Sequence, residues 1–131
     1  MNHLNLLAIL AAAAAAVVLS TAWYMAFGRQ MAALHPAYAD PSARPPAWKV
    51  GVELVRSFVL AFVVAFLVHV LDITGLHAAL HLALLLWLGF PVVLWTGAIV
   101  WERVPPKLAA IHAGDWLLKL IVVAVIVTMW Q

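Results

Sequence analysis

The sequence predicts an all-α fold, an integral membrane bundle of four antiparallel helices running up and down with both termini outside. Three observations carry this. Hydrophobic residues make up 68% of the 131-residue chain and charged residues only 9%, and the mean hydropathy is +1.10. A soluble domain of this size does not need that much apolar material to fill one core. The apolar residues fall into four stretches, each of the roughly 20 residues that cross a bilayer as a helix. The basic residues collect in the connections on one side. No room is left for a soluble catalytic domain, and the chain reads as a single membrane domain over residues 1–131.

The first span covers about residues 6–27, "LLAILAAAAAAVVLSTAWYMAF". A signal peptide opens with positive charge, but residues 1–5 hold no Lys or Arg, so the span reads as a permanent helix. Ala8, Ala12, Ala16 and Ser20 recur at i+4 and form a stripe almost free of side chains, against which another backbone can pack closely. That stripe points to self-association into a homo-oligomer or, within one chain, to packing on Ala61 and Ala65. Residues 28–50 form the one long connection. They hold four of the seven prolines, which limit any helix there to a short piece over Arg29 to Leu34.

The second span, 51–71, and the third, 76–101, are joined only by "DITG", so they are expected to form a tight hairpin. Pro91 interrupts the third span and removes a helical partner from the carbonyl of Trp87, which predicts a kink. Residues 102–107, "ERVPPK", turn the chain into the fourth span, 108–130, with Pro105 and Pro106 at its start. Arg29, Arg44, Lys49, Arg56, Arg103 and Lys107 all fall at the end of the bundle that holds loops 28–50 and 102–107. The termini and the "DITG" turn carry no Lys or Arg. By the positive-inside rule those two loops are cytoplasmic, and the location expected is the bacterial cytoplasmic (inner) membrane.

Polar residues inside the spans are the candidates for function. At 1.5 Å per residue, His112 lies roughly 6 Å below the cytoplasmic boundary, Asp115 roughly 10 Å and Lys119 roughly 16 Å. Glu53 and Arg56 on the second span lie at roughly 5 and 9 Å. His112, Asp115, Trp116 and Lys119 share one helix face, and the matched depths suggest that Glu53 and Arg56 meet them across the bundle. Charge in mid-bilayer is costly, so such residues face protein or water and pair. Two readings follow for the set Glu53, Arg56, His112, Asp115 and Lys119. It holds two helices in register, or it handles an anion, a proton or a polar head group.

At the other end His69, Asp72, His77 and His81 have side chains able to ligate a metal or a haem, at helix-face spacing. Water or lipid head groups account for them equally well, so no metal or cofactor is assigned. Phosphate-loop, nucleophile-elbow and zinc-protease motifs do not occur, and with no cysteine there is no thiolate chemistry. The expectation is a protein without catalytic residues. The net charge of +2 is too dispersed for nucleic acid, which leaves membrane lipids and membrane proteins as partners.

Two stretches, "AWYMAFGRQM" and "WLGFPVVLWTGAIVWERVPPKLAAIHAGDWLL", resemble a widespread family of short bacterial membrane proteins with four predicted helices, catalogued as a domain of unknown function. The likeness is most specific at Trp23, Tyr24, Phe27 and Gly28, at Trp87, Leu88, Gly89 and Phe90, and at His112 and Gly114. The family often has a proline soon after the Trp-Tyr pair, where this chain has Met25 and Ala26. The resemblance implies the membrane fold and brings no activity, cofactor or catalytic residue. From the sequence the function is that of a small oligomeric permeation or transport protein, or alternatively of a structural or accessory membrane subunit.

Overall fold

A computed structural model describes residues 4–40 and 44–130. All regular structure among them is helical: α1 (Leu6–Ala26), α2 (Gly28–Leu34), a 3-10 turn (Pro36–Tyr38), α3 (Ala47–Val70), α4 (Gly75–Trp87), a π turn (Leu88–Val92), α5 (Val93–Glu102) and α6 (Pro106–Met129). Residues 41–43 of the long connection lie outside the described residues. With α4 and α5 taken as one continuous helix, four helices are long and apolar enough to cross a membrane. Their outward faces are apolar too: Val55, Val59, Phe62 and Phe66 on α3 and Leu85, Val93 and Leu94 on the third span are all exposed. In water such a surface would aggregate, whereas in lipid it is solvated.

The ends of the helices have local causes. Asn5 caps α1 by accepting the Ala8 N–H at 3.2 Å, and it donates to the carbonyl of Trp130 at 3.2 Å, tying the start of α1 to the end of α6. α3 ends in a Schellman motif: Asp72 takes a left-handed conformation (φ 52°), the Ile73 N–H returns to the Val68 carbonyl and the Asp72 N–H to that of His69. α2, the short helix expected in the long connection, is anchored by Met31, which packs with Leu108 and Ile111 of α6 and with Trp23, Tyr24, Phe27 and Leu34.

Two packing expectations change. The "DITG" turn is tight, but α3 and α4 do not pair along their length. α3 lies on α1 and α6, while α4 lies on α6, so α6 supplies the apolar surface that each would have found on the other. The Ala8–Ala12–Ala16 stripe is not a free surface. These residues are 1% exposed or less, and Ala12 and Ala16 share a core with Ala61, Val64, Ala65 and Val68 of α3 and with Leu120, Val123 and Ala124 of α6. One chain consumes the stripe.

At Pro91, where the sequence predicts a kink, the helix changes its winding. The helix widens into the π turn, which admits one extra residue. At about 100° per residue, eight residues of unbroken α-helix would leave Trp87 and Trp95 about 80° apart around the axis. The extra residue brings them within about 20°. Both indoles therefore meet α6.

Candidate functional site

The site is built on α6, the one helix that packs against α1, α3, α4 and α5. A charge hidden from lipid on several sides has to sit on such a helix. Asp115 is 1% exposed and Lys119 8%. The ammonium lies 2.9 Å from Asp115 Oδ2, one helical turn away, and 4.2 Å from the ring centre of Trp116, within cation–π range. α1 supplies the remaining partners. Ser20 Oγ donates to Asp115 Oδ1 at 2.6 Å, and the Tyr24 hydroxyl lies 3.3 Å from Oδ2. Three donors on one carboxylate provide the satisfaction that a buried charge requires.

Tyr24 links this pair to His112. Its hydroxyl is 2.8 Å from His112 Nδ1 and has a single proton to give. When that proton goes to Asp115, the bond to His112 requires a proton on Nδ1. When it goes to a bare Nδ1, an ionised Asp115 keeps only Ser20 and Lys119. The proton on His112 and the hydrogen bonding of Asp115 are thus coupled. The imidazole stacks on Trp95 with ring centres 4.6 Å apart and planes 9° from parallel. It also meets Tyr38 of the 3-10 turn at 6.2 Å, so the long connection folds over it. His35, given no role from sequence, caps that turn by accepting the Ala37 N–H at 3.0 Å.

The indoles fasten the site. Trp23 Nε1 donates to the Ile111 carbonyl at 2.9 Å and Trp87 Nε1 to the Ala113 carbonyl at 2.8 Å. Gly114 follows directly after Ala113, and a Cβ placed there would stand 2.6 Å from Cζ2 of Trp23. The backbone approaches the indole that closely because this residue has no side chain.

Glu53 and Arg56 are placed otherwise than the matched depths suggest. They pair with each other within α3, through side chains 52% and 56% exposed, while Asp115 pairs within α6. The ion pairs run along helices because i+3 and i+4 neighbours are already within reach. Glu53 and Arg56 do border a crevice of about 20 Å³ between α3 and α6, which they line with Ser57, Leu60, Trp116 and Lys119. That is room for about one water. Sequence reasoning missed Ser20, Tyr24, Trp95 and Tyr38 as neighbours of the charges. The likeness at Trp23, Tyr24, His112 and Gly114 was the available signal, since these residues converge here.

At the opposite end His69, Asp72, His77 and His81 are exposed. The His77 and His81 rings meet edge to face at 4.3 Å, and His81 Nδ1 lies 3.1 Å from the His77 carbonyl. Among the described residues no three His, Asp or Glu side chains converge on a point where a metal would sit.

A family model described as a protein of unknown function (DUF1761) matches residues 7–128, and the chain belongs to that family. No curated protein and no solved structure matches it.

Proposed function

We propose that this member of the DUF1761 family is a non-conducting, multi-pass protein of the bacterial cytoplasmic membrane, a structural or accessory subunit whose ionic site opens toward the basic end alone. The observation that carries this reading is the layer beyond Lys119. There Val123 and Ala124 are fully buried, as are Ile9, Ala12, Val64 and Val68 around them. The network from His112 through Tyr24 to Asp115 and Lys119 runs into packed hydrocarbon at about mid-bilayer, and among the described residues no side-chain hydrogen bond carries it further. An ion leaving Lys119 for the far side would shed its hydration with nothing to replace it.

Permeation between subunits drew its support from the small-residue stripe on α1, which one chain already buries. A membrane-protein partner or a second copy would instead meet the outward faces of α3 or of the third span. The test is proton and potassium flux into liposomes that hold the purified full-length protein, read with a trapped pH dye and a potassium dye. Leakage equal to that of protein-free liposomes is expected. A flux that Asp115→Asn abolishes would overturn the reading.

A further inference from the structure

We propose that the rim of the crevice between α3 and α6 is a docking site for one phospholipid of the leaflet at the basic end, its phosphodiester held outside the crevice by the exposed Arg56 and a single ester oxygen set in the crevice toward Lys119. Donors outnumber acceptors at this surface. Arg56 carries five N–H bonds and Lys119 three. Glu53 takes up part of the guanidinium. Asp115 is already occupied by Ser20 and Tyr24 as well as Lys119. Lys119 serves Asp115 and the Trp116 ring, which leaves it an N–H for the crevice it lines. The formal charges balance, but the hydrogen bonds do not, and donors are in excess. The group that completes the site is therefore rich in acceptors and poor in donors. A phosphodiester flanked by carboxylic esters is such a group, and a guanidinium fork matches a phosphate in geometry.

Position selects a lipid over a soluble anion. Arg56 is more than half exposed on a helix whose neighbouring residues Val52, Val55 and Val59 are exposed and apolar. It begins about 14 Å along α3, near enough to the end of the helix for its long side chain to rise to the head-group level. Farther along α3, Phe62, Val63 and Phe66 are exposed and give acyl chains an apolar track.

The experiment is native mass spectrometry of the delipidated full-length protein in mild detergent. The probes are dioleoyl phosphatidylglycerol, dioleoylglycerol, which lacks the phosphate, and inorganic phosphate. The wild type is expected to retain one phosphatidylglycerol. Arg56→Gln should weaken retention by about tenfold, the loss expected for one charge-assisted contact. Arg56→Lys should weaken it less, and Glu53→Gln should leave it equal or tighter, because the guanidinium is released. Circular dichroism checks the fold of each variant. Equal retention by Arg56→Gln overturns the proposal, as does a loss in Glu53→Gln matching that in Arg56→Gln, which would make the pair purely structural. Dioleoylglycerol held as firmly as the phospholipid, or displacement of the phospholipid by equimolar inorganic phosphate, overturns it too.

Discussion

Gly114→Ala isolates the contact on which the site depends. On an unobstructed helix the change stabilises by about 1 kcal/mol, the difference in helix propensity. Here the new methyl group would meet Trp23 at 2.6 Å and 3.1 Å, well inside ordinary carbon–carbon contact of about 3.5–4.0 Å. The indole cannot simply swing aside, because its N–H is bound to Ile111 and its ring packs on Phe27 at 4.7 Å. Overpacking costs about 1–3 kcal/mol, and a broken indole hydrogen bond costs about 1 kcal/mol more. Against the propensity gain, the net expectation is destabilisation of about 1–3 kcal/mol. Equilibrium unfolding in mixed micelles, titrated with a denaturing detergent and followed by circular dichroism, measures it. The decisive comparison is the same change in a Trp23→Ala background, where the obstruction is gone and Gly114→Ala should turn stabilising by up to about 1 kcal/mol. The same sign in both backgrounds would refute the close-approach argument.

Asp115→Asn should cost about 3 kcal/mol or more in the same assay, since it leaves the Lys119 ammonium buried without its counter-ion. Arg56→Gln should cost under about 1 kcal/mol, as exposed pairs do, and the two losses should add, because each ion pair is closed within its own helix. Ala12→Leu should destabilise the single chain by about 1–3 kcal/mol through overpacking and leave its mass in detergent, measured by light scattering, unchanged. The chain has no natural cysteine, so Ala39→Cys should be shielded from impermeant thiol reagents in intact cells and Thr74→Cys should react. The opposite pattern would reverse the orientation proposed from the basic residues.

Class, the presence of four long apolar helices and the oddity of Lys119 were legible in the sequence because each depends on a property summed along the chain: hydropathy over twenty residues, or a charge inside an apolar run. Partners were less legible. Matching depths on two helices constrain height but not azimuth, so Arg56 and Asp115 share a level without sharing a bond, and Arg56 pairs with Glu53 one turn away. The Ala stripe announced close packing correctly, but periodicity does not say whether the second backbone belongs to the same chain. The π turn was the least accessible feature. Pro91 signals a disturbed helix, yet only the register of Trp87 and Trp95 against α6 shows that the disturbance is a widened turn.

That register explains how the His112 level of α6 is covered. A helix is screened from lipid only where neighbours cover it, and α1, α3 and α4 leave the His112 level of α6 to be covered by α5. In an unwidened helix Trp95 would turn away from α6 by about 100°, and one side of His112 would face hydrocarbon. Widening at Pro91 returns the indole to the imidazole, with planes 9° from parallel, while Trp87 stays on the Ala113 carbonyl. Pro91 suits that task because it lacks the N–H that regular helical pairing would demand of it. The cover stops at α3, where Glu53 and Arg56 remain on the outer surface. Asp115 and Lys119 are buried, with Ser20 and Tyr24 of α1 on the carboxylate, and the crevice that Lys119 lines opens beside Glu53 and Arg56. On that side, in the reading proposed above, a phospholipid supplies the acceptors that Arg56 and Lys119 lack.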